Sequence, residues 1–527
     1  MRELIQAAAV AAMLVLGGAP ADAKPLRYTA SAPLLTMDPH ATNDFVTQMV
    51  VTQIYEALVR LDIDLNLTPG LALSWEPTGE RVWRFKLRPD VKFHDGSALT
   101  PADVVFSVER ARAGRFWSVF AGPIEKIDVV DATTLDVTTK APDPLLPRKM
   151  SKILIMNEAW SKKHGAEKAH DLAATGGEFH AQRNASGTGP YALKEHGTTR
   201  TVLARHAGWW GQNSGNVTEA VFTQIAAAPT RVAALLSGEI DLVTDLPLQD
   251  IDRVRAAAGM KVLQAPQLMI VQFEMDGTRE DANAMWDKQG NPLPKNPFKD
   301  VRVRRAVAHA IDANLIVQRV MRGHATPAGI AAIPGVNGYQ KDLDVRWPFD
   351  QARAKALLAE AGYPQGFRVQ LNCPSDRYVN SEAICRAAAA QLAQVGIDVQ
   401  LNLQPWAAFV PPLTRIESSF HFIGSGPTGQ DTQDTLHGTM MTRQGENGFF
   451  NWARWTNPGF DAAVSRLVRE FDPAKRNEFY REALMIARDE VHAVYLHSQM
   501  ITWGARAGID ARVRQDAQVM LDLVKID

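Results

Sequence analysis

From Val82 to Arg88 the chain alternates, with Trp83, Phe85 and Leu87 on one side and Val82, Arg84, Lys86 and Arg88 on the other. That is the period of a half-buried strand. Asp95-Gly96 then predicts a tight turn. Thr100 caps the helix that follows, with Pro101 at the favoured first position and Asp103 where the helix dipole welcomes negative charge. Upstream, Tyr28 to Ser31 reads as a strand, Leu35 to His40 as a loop, and Phe45 to Leu58 as an apolar helix. Downstream, Val221 to Ile225 is strand-like, and Thr230 to Leu236 leads through Gly238 into Ile240-Asp-Leu-Val243, a helix end followed by a strand.

Three further helices are predicted. Asp300 opens one with Val303, Ala306, Val307, Ala310 and Ile311 at helical spacing, and Asp350 caps another that stops at Gly362 before Pro364. Asp472-Pro473 opens a third with Phe479, Ala483 and Ile486 inward. Helices alternating with short β-branched runs predict α/β architecture. Phe367, Val369, Leu371 and Cys373 share one strand face, and Cys385, Ala388, Leu392 and Val395 share one helix face, so both cysteines point into one layer interface. A disulfide is expected there, worth about 2 to 3 kcal/mol, with two buried thiols as the alternative.

Composition narrows the partners. The chain has 527 residues, 46% hydrophobic and 22% charged, a length that allows two or three domains. With 57 Lys plus Arg against 58 Asp plus Glu it carries no basic field to hold nucleic acid or an anionic membrane. Residues 1–23 read as a secretory signal: Arg2, an apolar core from Leu4 to Gly18, and the small-x-small site Ala21-Asp-Ala23. A buried N-terminal helix is the alternative, disfavoured by Gly17-Gly18 and Pro20. With no Cys near that site to carry a lipid, a free periplasmic protein is expected, if the host has an outer membrane.

The stretch from Leu71 to Arg110, with Leu71-Ala-Leu-Ser-Trp-Glu-Pro77, Val82 to Arg88, Val91-Lys-Phe-His-Asp-Gly96 and Leu99 to Arg110, resembles the signature of the family 5 extracellular solute-binding proteins. These are the peptide, oligopeptide and nickel receptors of ABC importers. Met37-Asp-Pro39, Tyr55-Glu-Ala-Leu58, Gly187-Thr-Gly-Pro-Tyr191 and Gly208-Trp-Trp-Gly211 extend the resemblance over nearly the whole chain after the signal. It implies a two-lobed periplasmic-binding-protein fold of type II, of the large class with an extra subdomain in lobe I, and a ligand cleft between the lobes. Lobe I is expected over 24–268 and 499–527, with the subdomain inserted at about 56–185, and lobe II over 269–498. Gln267 to Phe273 and Tyr495 to Trp503 are expected to pass between the lobes as a hinge. The resemblance further implies a monomer that captures a solute and hands it to an inner-membrane permease, with no cofactor and no chemistry of its own.

Gly424-Ser-Gly426-Pro-Thr-Gly429 fits a dinucleotide-binding pattern, but Gln430 to Asp434 is polar and acidic where a phosphate-cradling helix should begin. A ligand-facing loop is the preferred reading. In peptide-binding members this loop usually carries a Trp after the first Gly and an Asp three residues later that pairs with the peptide's amine. Here those places hold Ser425 and Thr428, and the nearest acid is Asp431. Either Asp431 substitutes or the ligand lacks an ordinary amine, because a buried ammonium without a carboxylate is poorly compensated. Arg377, in Asp376-Arg-Tyr-Val-Asn380, resembles the Arg with which dipeptide receptors hold a terminal carboxylate. Trp406 matches a pocket aromatic, and Tyr378 and Trp452 are further aromatic candidates. The changed loop motivates a second reading, a non-peptide cargo such as an opine, an oligosaccharide or a metal chelate, the last because His421 and His437 flank the loop. The 13 histidines offer no zinc-type spacing, and His94 reads as a turn hydrogen-bonder. No nucleophile constellation is present, which argues against a hydrolase.

Overall fold

A computed structural model describes residues 25–172, 179–445 and 447–527. The expected signal at 1–23 lies outside them. A sheet of twelve strands runs through the molecule. Its axis is one antiparallel pair, the long strands Met260–Met275 and Ala493–Arg506. Met260 to Pro266 pairs with Met500 to Arg506, and Ile270 to Glu274 pairs with Ala493 to Ser498, with the register shifting between Pro266 and Ile270. Proline cannot donate to a ladder, so Pro266 stands where the pairing breaks.

On one side of that break the sheet continues through Leu242–Val243, Leu26–Ala30, Glu219–Gln224, Arg200–Arg205 and Tyr191–His196. Tyr28, Phe222 and Trp503 form its core, closed by the C-terminal Val519, Leu521 and Val524. On the other side come Phe420–Ser425, Phe367–Pro374 and Ile397–Gln404, packed on helices that bury Phe298, Val307, Ala388 and Leu392. These are the two lobes. A separate four-stranded antiparallel sheet, in the order Ala72–Gly79, Val82–Leu87, Thr134–Thr139, Ile124–Asp131, builds its own core with the helix Pro101–Ala113. In it Trp83, Phe85 and Leu87 are buried, as their alternation predicts.

The local signals perform as physical devices. Gly96 has φ +88°, Asp95 accepts the Ser97 N–H at 3.0 Å, and Asp103 reaches back to the Thr100 N–H at 2.8 Å in a capping box. Asp38, of the Met37-Asp-Pro39 loop, is fully buried against Arg110 of that same helix at 2.6 Å. Burial alone would raise its carboxyl, but Arg110 outweighs that and holds it below the usual range.

Two predicted elements differ. The helix at Phe45 ends at Val51 rather than running to Leu58, because the backbone of Gln53 and Ile54 leaves the helix to accept N–H groups from Tyr191 and Gly189. The helix Pro473–Asp489 buries Tyr480, Ala483, Leu484 and Ala487, while Phe479 and Ile486 are only partly covered. Tyr480 claims the inward face because its hydroxyl is anchored by Asp431 and Arg476. Cys373 and Cys385 are joined by a disulfide between strand and helix.

Candidate functional site

The short-range motifs converge on one carboxylate. Glu56 is buried and accepts from the indole N–H of Trp209 at 3.2 Å, the indole N–H of Trp210 at 2.8 Å and the hydroxyl of Thr188 at 3.0 Å. Burial pushes its carboxyl up to about 7, against the pull of Arg60 and these donors. Tyr55-Glu56, Gly187-Thr-Gly189 and Gly208-Trp-Trp-Gly211 thus form one structural knot. Its glycines are sterically required: a Cβ on Gly187 would sit 2.0 Å from the Ile54 carbonyl oxygen, and one on Gly189 2.5 Å from that of Gln53. His94 belongs to the knot too. It bonds the distant Gly189 carbonyl at 2.9 Å rather than its own turn, and burial lowers its pKa to about 4.

Beside this knot lies a cavity of about 800 Å³ lined from both lobes. Lobe I supplies Asp44, Phe45, Glu56, Arg60, Trp117, Phe120 and Lys152, together with the C-terminal run Arg514 to Met520, while Arg377, Pro427, Thr428 and Gln430 face them from lobe II. Gln267 and Leu268, at the register break, form part of the wall between. The lobes touch around it. Gln430 donates to Asp516 at 2.9 Å and Gln515 to the Pro334 carbonyl at 3.0 Å, while at the crossing strand the Leu268 N–H donates to the Gln515 carbonyl at 3.2 Å. The Trp83 and Phe471 rings meet at 5.9 Å.

Most lining charges are already spent. Arg60 pairs with Asp522 at 2.9 Å and Arg514 with Asp516 at 2.7 Å, while Asp44 caps its helix through Oδ1, accepting from Val46 and Thr47, and leaves Oδ2 buried without a hydrogen-bond partner among the described residues. Two cations differ. Arg377 is exposed, its guanidinium 5.2 Å over the Trp406 ring, and neither it nor Lys152 has an ion pair among the described residues. Burial lowers the Lys152 ammonium to about 8.

Of the residues singled out in the sequence as ligand contacts, Arg377 and Thr428 line the cavity and the others do not. Trp406 stands behind Arg377 and packs on Phe409 and Tyr378, and Tyr378 is buried against Phe422. Trp452 packs on Phe450, away from the cavity. Ser425 ends a strand opposite Ile270, and a Cβ on Gly426 would come within 2.1 Å of the Leu268 carbonyl oxygen. The Gly-x-Gly run therefore lets the loop pack against the crossing strand. Asp431 does not face the cavity either. It is 1% exposed, caps Thr432–Thr435 through the Gln433 N–H, and accepts from Asn337 at 2.8 Å and from the Tyr480 hydroxyl. Its oxygens are occupied, so it does not replace the missing amine anchor.

His421 is buried against Glu274 at 3.0 Å and His437 bonds Asn447 at 2.8 Å; among the described residues no three metal-ligating side chains gather. No described helix is long and apolar enough to cross a membrane. Lys152, Asp44 and Gln515 were not legible as cavity residues, since each is a single polar residue in a segment without a motif.

A family model described as bacterial extracellular solute-binding proteins, family 5, middle, matches residues 66–449. The glutathione-binding protein GsiB of Pectobacterium atrosepticum is 26% identical over 463 residues, 85% of this chain and 83% of that protein. The structure of HbpA2 from Haemophilus parasuis superposes with a TM-score of 0.82 at 22% identity, covering 96% of this chain and all of that one. The structure of AgaA from A. tumefaciens R10 in complex with agropinic acid superposes with a TM-score of 0.73 at 23% identity, covering 96% and 99%.

Proposed function

The chain belongs to the bacterial extracellular solute-binding proteins, family 5, and on that footing we propose that it captures a peptide or peptide-like solute between its lobes and delivers it to an ABC permease. Lobe I is taken as 24–268 and 499–527, with the subdomain at about 56–185, and lobe II as 269–498. The carrying observation is the cavity of about 800 Å³ whose walls come from both lobes, with the Pro266 register break beside it. A solute touching both walls favours the closed arrangement by its differential contacts. Arg377 is assigned to a ligand carboxylate, with Trp406 stacked behind the guanidinium to hold its plane, and Thr428 to polar contact with the ligand. Relatives named for glutathione binding support a short peptide.

The protein works without catalysis, as a monomer, and reaches the periplasm through cleavage after Ala23. The AgaA complex keeps an opine as the second reading, favoured by the absence of an acid at Thr428. Native mass spectrometry of protein purified from a periplasm tests the function: a non-covalent small-molecule adduct is expected, and adding the identified solute raises the melting temperature. Release of a chemically altered solute would contradict it.

A further inference from the structure

Lys152 enters the cavity from lobe I just past the helix Leu146–Met150, opposite the wall that carries Arg377. The charges that act on its ammonium are Asp516, Arg514, Arg148 and Asp434. Both acids pull on it electrostatically, but neither is its ion-pair partner among the described residues. Asp516 gives both oxygens to Arg514, at 2.7 and 2.9 Å, and one of them also to Gln430. Asp434 accepts the Gly429 N–H at 2.8 Å, and burial together with Asp431 pushes its carboxyl up to about 6. A half-buried ammonium on a cavity wall, beside two guanidiniums and two acids engaged elsewhere, is a site for an incoming anion. On the other wall Arg377 is a second cation without an acid.

Building on the solute-binding reading, we propose that Lys152 holds a second anionic group of the solute, which is therefore a dicarboxylate gripped by one cation from each lobe. The two charges then do more than add affinity: the solute bridges two cations that approach only when the lobes shut, so the class of solute and the closure are linked. Such a solute needs no carboxylate at Thr428, because any amine it carries is offset by its own acids.

The test is calorimetric, on the full mature chain. The probes are glutathione, which has two carboxylates, its glycine ethyl ester, which has one, and a secondary-amine dicarboxylate of the N-(1-carboxyethyl) amino-acid type. Wild type is expected to bind a diacid at least about tenfold more tightly than the monoester. Lys152→Met should erase that preference, costing the diacid at least about tenfold and the monoester less, and Lys152→Arg should keep it. Lys152→Gln repeats the measurement if the Met variant melts low. Equal losses for diacid and monoester, or no loss, would overturn the role of Lys152, as would wild-type preference for the monoester or failure to bind any diacid. Binding of the secondary-amine dicarboxylate but of no peptide would remove the peptide reading and leave the dicarboxylate inference standing.

Discussion

At the scale of single residues, a group that carries the family resemblance can line the cavity and still serve the fold. Glu56 is legible as part of Tyr55-Glu-Ala-Leu58, yet its oxygens are taken by Trp209, Trp210 and Thr188. Its role is to satisfy buried donors, and that role has a pH signature. The folded protein holds the Glu56 proton up to about pH 7, whereas the unfolded chain releases it near the ordinary value of 4.5. The native state therefore binds more protons between those values, and stability falls as pH rises through that window, by roughly 3 kcal/mol in all. The buried His40, His94, His492 and His497, all with lowered pKa values, tilt total stability the other way below about pH 6.5. The contribution of Glu56 is isolated by difference: the melting temperature of Glu56→Gln minus that of wild type should climb steadily from pH 5 to pH 7.5. A flat difference would show that the carboxyl is ionised throughout.

At the scale of elements, what the sequence made legible was whatever one element decides for itself. The alternation at Val82–Leu87, the capping box at Thr100 and the paired faces bearing Cys373 and Cys385 all depend on local period and cap chemistry. What failed depended on a partner far along the chain. The helix at Phe45 was overextended because the Gly187–Tyr191 loop, which takes over its backbone after Val51, is more than a hundred positions away. The inward face of Pro473–Asp489 was misphased because Tyr480 answers to Asp431. The disulfide gives the measurable case. It closes a loop with a sequence separation of 12 and ties the strand Phe367–Pro374 to the helix Ser381–Ala393, directly beneath the turn that presents Arg377. The double variant Cys373→Ser, Cys385→Ser should lose about 2 to 3 kcal/mol in urea unfolding. Solute affinity should fall with it, since the strand and helix flanking Arg377 lose their covalent tie. An unchanged urea midpoint would mean that packing alone fixes the turn.

At the scale of the whole molecule, the cavity was the least legible feature, because its walls come from residues near 43–61, 117–154, 190, 267–268, 377, 427–430 and 514–522, segments that meet only in the folded chain. Besides motif residues such as Glu56, the cavity wall takes solitary polar residues such as Lys152 and Gln515. The closed arrangement is held by contacts outside the cavity as well, and these can be tested without touching the solute. Phe471, from the second lobe, meets Trp83 of the inserted subdomain at 5.9 Å and does not line the cavity. An aromatic pair of this kind contributes roughly 0.5 to 1.5 kcal/mol beyond area burial. Its rings come from different lobes, so a hinge opening that parts them makes the contact a property of the closed form; removing it then lowers the closed population, and apparent affinity falls by the same factor. Phe471→Ala should therefore weaken solute binding about two- to tenfold by calorimetry. The radius of gyration from solution scattering should still contract on saturation, because the bound state is the same closed form reached from a smaller starting population. An unchanged affinity would show that the open form keeps the Trp83–Phe471 contact, and the lobes would then have to move about an axis that spares it.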